Sequence, residues 1–588
     1  MRKLRAIVCV MAVVVGLSTA AFGQPTPPAP PYVDYQGTGG NLLAGPFYDL
    51  TDPYDPSTRT GGPHSPVAGD SVFLRGATTT TLDGTLTASY AYVGGVEVWP
   101  MGQPNPTPQG PSTMYIVNGG SLNLPLDSTG RFLVGNYYNG TVKQSGGYVQ
   151  AGRIVMGQYG YTGTDSYYQL TGGTVKTGGN FYVGFADADD VKTAKLDMSG
   201  GYIEVGDQFV VSNNEGGSVT GTVNISAGTI NAINGDFHVS GGGTVNQTGG
   251  LVSVARLDWS TIGGDGVGGT YNLSGGSFLD LTQLALGIGE STHGTLNVSN
   301  GYYENRVSIN IGHLGGTGVV NISGGSFIHM REPGDDVTNY RVWVGRHGGT
   351  ETPNSFGHLN ITGGSVSLVK NFWIGAVGSN EGKYTHSTGK VTLSQAATFR
   401  TEQLLMTGST PAGGRVENCI LEFQLANANN FDYLVSGNAQ LKATFVISTV
   451  GGFTPSHDQE WKLITAGSFG SLAGHVITPD YELSIVGSDL MLKYTGVGAA
   501  HPGDANIDNA VDVGDLGILA GNWGGGPGKT WAQGDFNSDG WVDVGDLGVL
   551  AGNWGWVGGG GGTQPVPEPA TLGLLALGAL GMIRRRSN

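Results

Sequence analysis

The chain has 588 residues, of which 106 are glycine and 12% are charged, well below the roughly 25% of an ordinary globular domain. Hydrophobic residues still make up 38% of the chain, so the composition excludes a disordered polymer and favours a folded, repetitive architecture. A formal net charge of −17 excludes nucleic acid as a natural partner, because such a chain repels a polyanion at long range.

The N-terminal segment has the pattern of a secretory signal peptide. Residues 1–23 combine basic residues at the start, an apolar run from Ala6 to Leu17 and small residues before a cleavage site that follows Gly23. Residues 24–32 are rich in proline and predict an extended spacer. We therefore expect export of the chain, with a folded body that begins near residue 33.

A repeat dominates the body of the chain. Short runs of alternating β-branched and polar residues predict strands, and many of these strands end in Ser/Thr-Gly-Gly or a close variant. The landmark glycines are Gly120, Gly147, Gly173, Gly201, Gly228, Gly250, Gly276, Gly301, Gly325, Gly364 and Gly389. Their spacing of about 25 residues, interrupted by one longer interval, predicts a stacked array of identical structural units.

Each unit has room for three short strands, and a second landmark, an apolar residue followed by glycine, recurs within it, as at Leu286-Gly287 and Ile311-Gly312. This arithmetic predicts an all-β fold, a right-handed parallel β-helix (solenoid) over residues 110–395. Residues 33–109 are expected to form an N-terminal β cap and the first coils, and residues 396–498 a β-rich C-terminal cap. The repeats resemble those of autotransporter passenger domains.

Two acidic loops, 31 residues apart, follow the predicted cap. Both place oxygen-bearing side chains at positions 1, 3, 5, 9 and 12 and a backbone carbonyl at position 7. The first set is Asp504, Asn506, Asp508, Ala510 (carbonyl), Asp512 and Asp515, and the second is Asp535, Asn537, Asp539, Trp541 (carbonyl), Asp543 and Asp546. This spacing suits a hard cation with six or seven oxygen ligands, so the sequence predicts two Ca²⁺ ions as cofactors.

A short helix-forming segment follows each loop, Leu516–Trp523 and Leu547–Trp554. Together, residues 499–556 resemble type I dockerins, and the resemblance implies a small α-helical calcium module that binds a cohesin-like partner. Asn509 stands where this family usually has glycine. The pairs Val513-Gly514 and Val544-Gly545 occupy the usual partner-reading positions with small apolar residues. The alternative is a calcium module that serves stability alone.

The C-terminal segment resembles a PEP-CTERM sorting signal. A Gly-rich linker at 557–565 leads into residues 566–588, where a Pro-Glu-Pro motif precedes a short apolar stretch and a basic end. The residues that carry the resemblance are Val566, Pro567, Glu568, Pro569, Arg584, Arg585 and Arg586. The resemblance implies a C-terminal transmembrane sorting tail, processing by an exosortase-type membrane protease, and display at the cell surface or in the extracellular matrix. An ordinary tail anchor is the alternative.

No residue set predicts catalysis. The best acidic cluster is Asp187, Asp189 and Asp190, which is more typical of a solvated turn than of a catalytic pair. His238, His313, His347 and His358 stand apart, which favours exposed surface over metal ligation. Paired aromatics, among them Tyr167-Tyr168 and Tyr302-Tyr303, fit strand packing better than a sugar-binding ladder.

These patterns predict a non-enzymatic surface or matrix protein. It would contact the membrane only through its tail and would not bind nucleic acid. The alternative is a secreted polysaccharide-degrading enzyme or a carbohydrate-binding β-helix, with an extracellular polysaccharide as its partner.

Overall fold

The computed structural model shows a nearly all-β chain, with 59% strand and two short α-helices. It describes residues 32–35, 40–44, 47–50, 59–64, 66, 70–74, 79–94, 111–136, 138–158, 165–186, 191–214, 218–255, 259–264, 267–331, 341–346, 355–376, 387–406, 418–496, 501–508 and 510–557. The predicted signal peptide, most of the proline-rich spacer, the Gly-rich linker beyond Val557 and the sorting tail lie outside these residues.

The first strands are β1 (Tyr32–Tyr35), β2 (Gly40–Asn41), β3 (Phe47–Leu50), β4 (Arg59–His64), β5 (Ser71–Leu74), β6 (Thr79–Leu82), β7 (Thr85–Thr87), β8 (Tyr90–Val93), β9 (Ser112–Ile116), β10 (Ser121–Asn123), β11 (Arg131–Val134), β12 (Gly140–Gln144), β13 (Tyr148–Ala151) and β14 (Arg153–Met156). The next are β15 (Asp165–Leu170), β16 (Thr174–Thr177), β17 (Phe181–Ala186), β18 (Val191–Val205), β19 (Phe209–Asn214), β20 (Ser218–Ala232), β21 (Phe237–Val239), β22 (Thr244–Val254), β23 (Trp259–Ile262), β24 (Gly269–Asp280), β25 (Gln283–Ile288), β26 (His293–Val298), β27 (Tyr302–Asn305) and β28 (Ser308–His313). The last are β29 (Thr317–Ile322), β30 (Ser326–His329), β31 (Arg341–Arg346), β32 (Phe356–Ile361), β33 (Ser365–Ala376), β34 (Thr388–Ser394), β35 (Thr398–Met406), β36 (Cys419–Leu425), β37 (Asp432–Ala439), β38 (Thr444–Thr449), β39 (Glu460–Phe469), β40 (Val476–Ile477), β41 (Tyr481–Val486) and β42 (Asp489–Tyr494).

The strands stack in parallel with three strands to a coil, as in a β-helix. In one coil β26, β27 and β28 follow one another, and each pairs in parallel with its counterpart in the next coil, β29, β30 and β31. Because the register is kept from coil to coil, equivalent residues form columns along the stack. The parallel, β-helix-like architecture is thus confirmed, whereas its right-handed sense stays a prediction.

Antiparallel pairs occur towards both ends of the strand series. Before the coils, β1 pairs with β3, and β3 with β4. After them, β42 pairs antiparallel with β39 and β41. The described residues up to 422, with 434–444 and 467–475, form one compact unit, and residues 423–433, 445–466 and the described residues from 476 form a second.

The interior of the coils is filled by alternate side chains of each strand. Phe181, Phe209 and Phe237 occupy one interior column, and successive ring centroids lie 5.4 and 5.1 Å apart. All three side chains are buried. Stacked aromatic columns of this kind let each coil bury apolar surface against its two neighbours.

The Ser/Thr-Gly-Gly motif forms the corner between the first and second strands of a coil. In one repeat, the Ser274 hydroxyl donates to the carbonyl of Gln247 in the preceding coil, at 3.3 Å. Gly276 has a φ of +74°, and a Cβ there would lie 2.4 Å from the carbonyl oxygen of Gly250. Glycine is therefore required at this corner for two reasons: the backbone is left-handed there, and the coils are in close contact.

Gly389 was wrongly predicted as a corner of this kind. It lies within β34 and pairs with Gly357 at the start of a first strand, whereas Thr398 is the register partner of Ser365 just after the Gly364 corner. The corner of this coil therefore lies next to Ala397. The Ser387-Thr388-Gly389 sequence at the start of β34 resembles the motif, but only strand pairing distinguishes the two positions.

Asp280 is an ionisable side chain enclosed within the coils. Asp280 is fully buried, and its carboxylate accepts hydrogen bonds from the Thr282 hydroxyl at 2.6 Å and from Asn305 and Tyr303, both at 3.4 Å. Burial raises the pKa of Asp280 to about 6, although these hydrogen bonds act in the opposite direction. The enclosed carboxyl therefore takes up its proton at a higher pH than an exposed aspartate does.

The corner contact predicts a difference between two glycine-to-alanine changes. Gly276→Ala should destabilise the coils by about 3 kcal/mol, because the strained backbone is combined with overpacking. Gly242→Ala is a matched control, since Gly242 has a φ of +82° but its nearest neighbour would lie 3.9 Å away. It should cost only about 1 kcal/mol. Urea denaturation of the full chain measures both, and equal losses would contradict the contact.

The buried Asp280 predicts pH-dependent stability. Its raised pKa means that the folded state binds the proton more tightly, so stability falls between about pH 4 and pH 6 and stays lower above that range. Asp280→Asn should therefore stabilise the chain at pH 8 by about 2–3 kcal/mol and leave it almost unchanged at pH 4. Asp127→Asn, at an exposed carboxyl with a lowered pKa, should give no such gain. Denaturation midpoints from pH 4 to pH 8 test this.

Candidate calcium module

The two acidic loops each lead into a short α-helix, α1 (Val513–Asn522) and α2 (Val544–Gly552). Asp512 and Asp543, at loop position 9, are the N-cap residues. Each accepts a hydrogen bond from a backbone N–H of the first helical turn, from Gly514 at 2.7 Å and from Gly545 at 2.8 Å. The helices therefore begin where the loops end, because the loop aspartates satisfy otherwise unpaired donors.

The aspartates at position 12 connect the start of each loop to its helix. Asp515 Oδ1 accepts from the backbone N–H of Ala505 at 2.7 Å, and Asp515 Oδ2 accepts from that of Asp512 at 2.9 Å. Asp546 makes the equivalent bonds with Phe536 and Asp543, at 2.7 and 2.9 Å. Both carboxylates are fully buried, so each loop is closed around an acidic side chain.

The rest of each loop curves inward through side-chain-to-backbone hydrogen bonds. In the second loop, Asn537 Oδ1 accepts from Asp539 N at 3.0 Å, and Asp535 Oδ2 accepts from Gly540 N at 2.9 Å. Ser538 has a φ of +60°, as Ile507 has a φ of +56° at the equivalent position of the first loop. These turns direct oxygen atoms towards the inside of the loop.

The module carries an excess of negative charge. Residues 501–557 contain eight aspartates and a single basic side chain other than histidine, Lys529. Its ammonium donates to Asn522 Oδ1 at 3.1 Å. Four of the aspartates, Asp504, Asp515, Asp535 and Asp546, are buried. Buried carboxylates without a cation are costly, so the donor set fits a divalent metal ion.

An orphaned oxygen lies in the second loop. Asp535 Oδ1, at position 1, is buried and has no hydrogen-bond partner. Within the described residues, however, no group of three or more His, Cys, Asp or Glu side chains is gathered closely enough to hold a metal ion. The residues therefore fit a Ca²⁺ site chemically, while the acidic side chains would have to rotate towards a common ion.

The module has a small apolar core that follows the same repeat. Its buried members are Ala505, Val511, Leu519, Phe536, Val542 and Leu550, which form equivalent pairs 31 residues apart. Backbone bonds link Val511 to Trp556 and Val542 to Gly525. His501 stacks on Trp556 with ring centroids 3.7 Å apart, so the two ends of the module are in contact.

Other predicted sites are separated or lie outside the described residues. Asp187, Asp189, Asp190 and His347 lie outside them. Tyr168 and Tyr303 point into the core, whereas Tyr167 and Tyr302 lie on different strands of their coils, so they form no common ladder. The interpretation of His313 as exposed surface was wrong, because this side chain is buried and its ring stacks on Trp259.

Sequence reasoning missed a cluster of basic and aromatic side chains on the third strands. Trp343 and Trp373 are register partners in adjacent coils, and Arg341 and Arg346 lie on the same strand as Trp343. Val344-Gly345 and Ile374-Gly375 are the same landmark in successive units. Aligning the units on this landmark would have placed the two tryptophans together.

The fold defines a repeat protein with a parallel β-helix-like body, followed along the chain by a small pair of loop-helix units. Residues 565–587 match the PEP-CTERM protein-sorting motif. The chain is therefore an exported protein that an exosortase-type enzyme sorts through a membrane-associated C-terminal tail at the cell surface. No curated protein and no solved structure matches it. Among the described residues, no helix is long and apolar enough to cross a membrane.

Proposed function

We propose that the chain is a non-catalytic scaffold of the cell surface or extracellular matrix, stabilised by Ca²⁺ bound in residues 499–556. Export and exosortase sorting are indicated by the sorting motif. The observation that supports calcium best is the pair of acidic loops whose position-1 and position-12 carboxylates are buried with almost no basic residue in the module.

The proposed ligands are the oxygen donors of the two loops. Asp504, Asn506, Asp508, Ala510, Asp512 and Asp515 would hold one ion, and Asp535, Asn537, Asp539, Trp541, Asp543 and Asp546 the other. Bound Ca²⁺ would supply positive charge that offsets the mutual repulsion of the carboxylates. The chain itself supplies the inward-directed oxygens and the helices that hold the end of each loop.

We expect the full chain to bind two Ca²⁺ ions. Asp508→Ala and Asp539→Ala should each reduce the stoichiometry to one, because each removes a donor from one loop and both side chains are exposed in the described structure. A hundredfold excess of Ca²⁺ over its Kd should stabilise the module by about 2.7 kcal/mol per site. Isothermal titration calorimetry and thermal unfolding, with and without chelator, provide the measurement.

Asp127→Ala is the matched control for this experiment, since it removes an exposed aspartate from the coils and should leave the stoichiometry at two. Absence of binding at millimolar Ca²⁺ would overturn the calcium proposal. Unchanged stoichiometry in both loop variants would do the same.

The module also presents an apolar surface at the start of each helix. Val513 is 72% exposed and Val544 is 74% exposed. Both follow the N-cap aspartates, so they occupy equivalent positions of the repeat. Exposed apolar side chains at equivalent positions of both repeats are the observation that supports a protein partner. We propose a cohesin-like domain as that partner, in keeping with the dockerin resemblance.

We expect an immobilised cohesin domain to retain the full chain in Ca²⁺ and to release it in chelator. Because the two valines are equivalent, both are changed, and Val513→Asp with Val544→Asp should lower the affinity by at least about tenfold. Val267→Asp is the control, at a 48% exposed valine elsewhere. Failure of the unmodified chain to bind would contradict the cohesin proposal, as would an equal loss of affinity in the control. Either result would leave calcium as a structural cofactor.

The proposal of a non-catalytic body has its own support. Among the described residues, the carboxyl with the most strongly raised pKa is Asp280, and it is sealed inside the coils. A polymer substrate does not reach a fully buried carboxyl. The hydrogen bonds that Asp280 accepts from Thr282 and Asn305 account for its position. The enclosed acid is therefore better explained as a feature of the core than as a general acid.

A further inference from the structure

A compact cluster of four half-buried side chains lies on the outer side of the third strands, and we name it the Arg-Trp patch: Arg341, Trp343, Arg346 and Trp373. The indole rings of Trp343 and Trp373 stack with centroids 5.3 Å apart and planes 16° apart. The guanidinium carbons of Arg341 and Arg346 lie 5.6 and 5.5 Å from the centroid of the Trp343 ring. Two like charges are thus held against one aromatic surface.

The patch is held in place by its neighbours. The Arg346 guanidinium donates to Asn310 Oδ1 at 2.7 Å, and Asn310 is a fully buried register partner of Trp343. Burial and the nearby charge of Arg341 lower the pKa of Arg346. Trp373 Nε1 is buried and has no hydrogen-bond partner. The patch therefore combines an oriented cation with an unused donor.

The described strand segments that carry the patch and its partner Asn310 contain no acidic residue. The segments Ser308–His313, Arg341–Arg346 and Asn371–Ala376 contain no Asp or Glu. Some other basic residues of the coils pair with acids, as Lys176 does with Glu204 at 2.8 Å and Lys390 with Glu422 at 2.8 Å. In a chain of net charge −17, two adjacent arginines with no carboxylate partner among the described residues form a local exception. Such an exception is the electrostatic signature of an anion-binding surface.

We propose that the Arg-Trp patch binds an acidic polysaccharide through the carboxylates of its uronate rings. The planar guanidinium groups match the geometry of a carboxylate. The half-buried indoles provide apolar surface for the carbon skeleton of the sugar. This site lies on the coils and goes beyond the proposed calcium scaffold.

Charge density favours a uronate chain over other polyanions. A polyuronate carries one charge on each sugar ring, whereas duplex DNA carries one charge per about 1.7 Å. Two guanidiniums neutralise only a few charges, and the remaining charges of a dense polyanion are repelled by the net-negative chain. Nucleic acid and highly sulfated glycans are therefore outcomes that would contradict the proposal.

The test is binding of the full chain to immobilised polygalacturonate, with neutral dextran, dextran sulfate and single-stranded DNA as comparison ligands. We expect retention on polygalacturonate alone, weakened by added salt. Arg341→Gln should lower the affinity about tenfold, because it removes one charged hydrogen-bond donor while no described hydrogen bond is lost. Circular dichroism checks that each variant keeps its fold.

Arg153→Gln is the matched control. Arg153 also lies on a third strand with its guanidinium 5.7 Å from the Tyr182 ring, but it has a carboxylate nearby. Burial raises the pKa of Asp207, and the charge of Arg153 acts in the opposite direction. This variant should bind within about twofold of the unmodified chain, well short of the roughly tenfold loss from a broken charged hydrogen bond. An equal loss in Arg153→Gln, equal binding to dextran, or preference for DNA or dextran sulfate would overturn the assignment, as would absence of polygalacturonate binding.

The same incubation separates this site from the scaffold proposal. New reducing ends or unsaturated products from polygalacturonate would overturn the non-catalytic function while leaving the binding site in place. Binding that persists in the Asp508→Ala and Asp539→Ala variants would show that the patch acts independently of the calcium module. Binding that requires both loops would contradict the placement of the site on the coils.

Discussion

The close contact of one coil with the next at the glycine corners is the constraint on which the rest of the structure depends. A Cβ at Gly276 would lie 2.4 Å from the carbonyl oxygen of Gly250, so the coils approach one another more closely than any side chain permits. Ser274 adds a hydroxyl bond to the preceding coil. Because the contact recurs in successive units, it keeps the three strands of each coil in register and turns single residues into columns.

The columns of equivalent residues stabilise this fold and also bring polar and aromatic side chains of adjacent coils together. On the outer face, Asn246, Asn272 and Asn297 form a ladder in which each side-chain amide donates to the preceding one, at 2.8 and 2.7 Å. The same register brings Trp343 against Trp373. Substitution of one residue in one coil therefore changes a continuous surface. Adjacent coils can also bring together side chains that are distant in sequence.

The calcium module is organised by a different principle. Its apolar core has only six buried residues, and its loops are closed by buried carboxylates that accept backbone hydrogen bonds. These carboxylates order the loops and cap the helices, but they also concentrate negative charge, with eight aspartates against one lysine. We propose that a module built in this way depends on a cation, whereas the coils depend on backbone contact and buried aromatic rings.

The sequence by itself determined the features that depend on local spacing: the repeat, the three strands of each coil, the oxygen positions of the acidic loops and the sorting motif. It did not determine which glycines share a column. The sequence around Gly389 resembles the corner motif, yet Gly389 pairs with Gly357 inside a strand. Nor did the sequence reveal the enclosure of Asp280 or the meeting of Arg346 with Asn310. Those relations depend on the register between coils joined by connections of unequal length, and only the tertiary pairing of backbone groups decides that register.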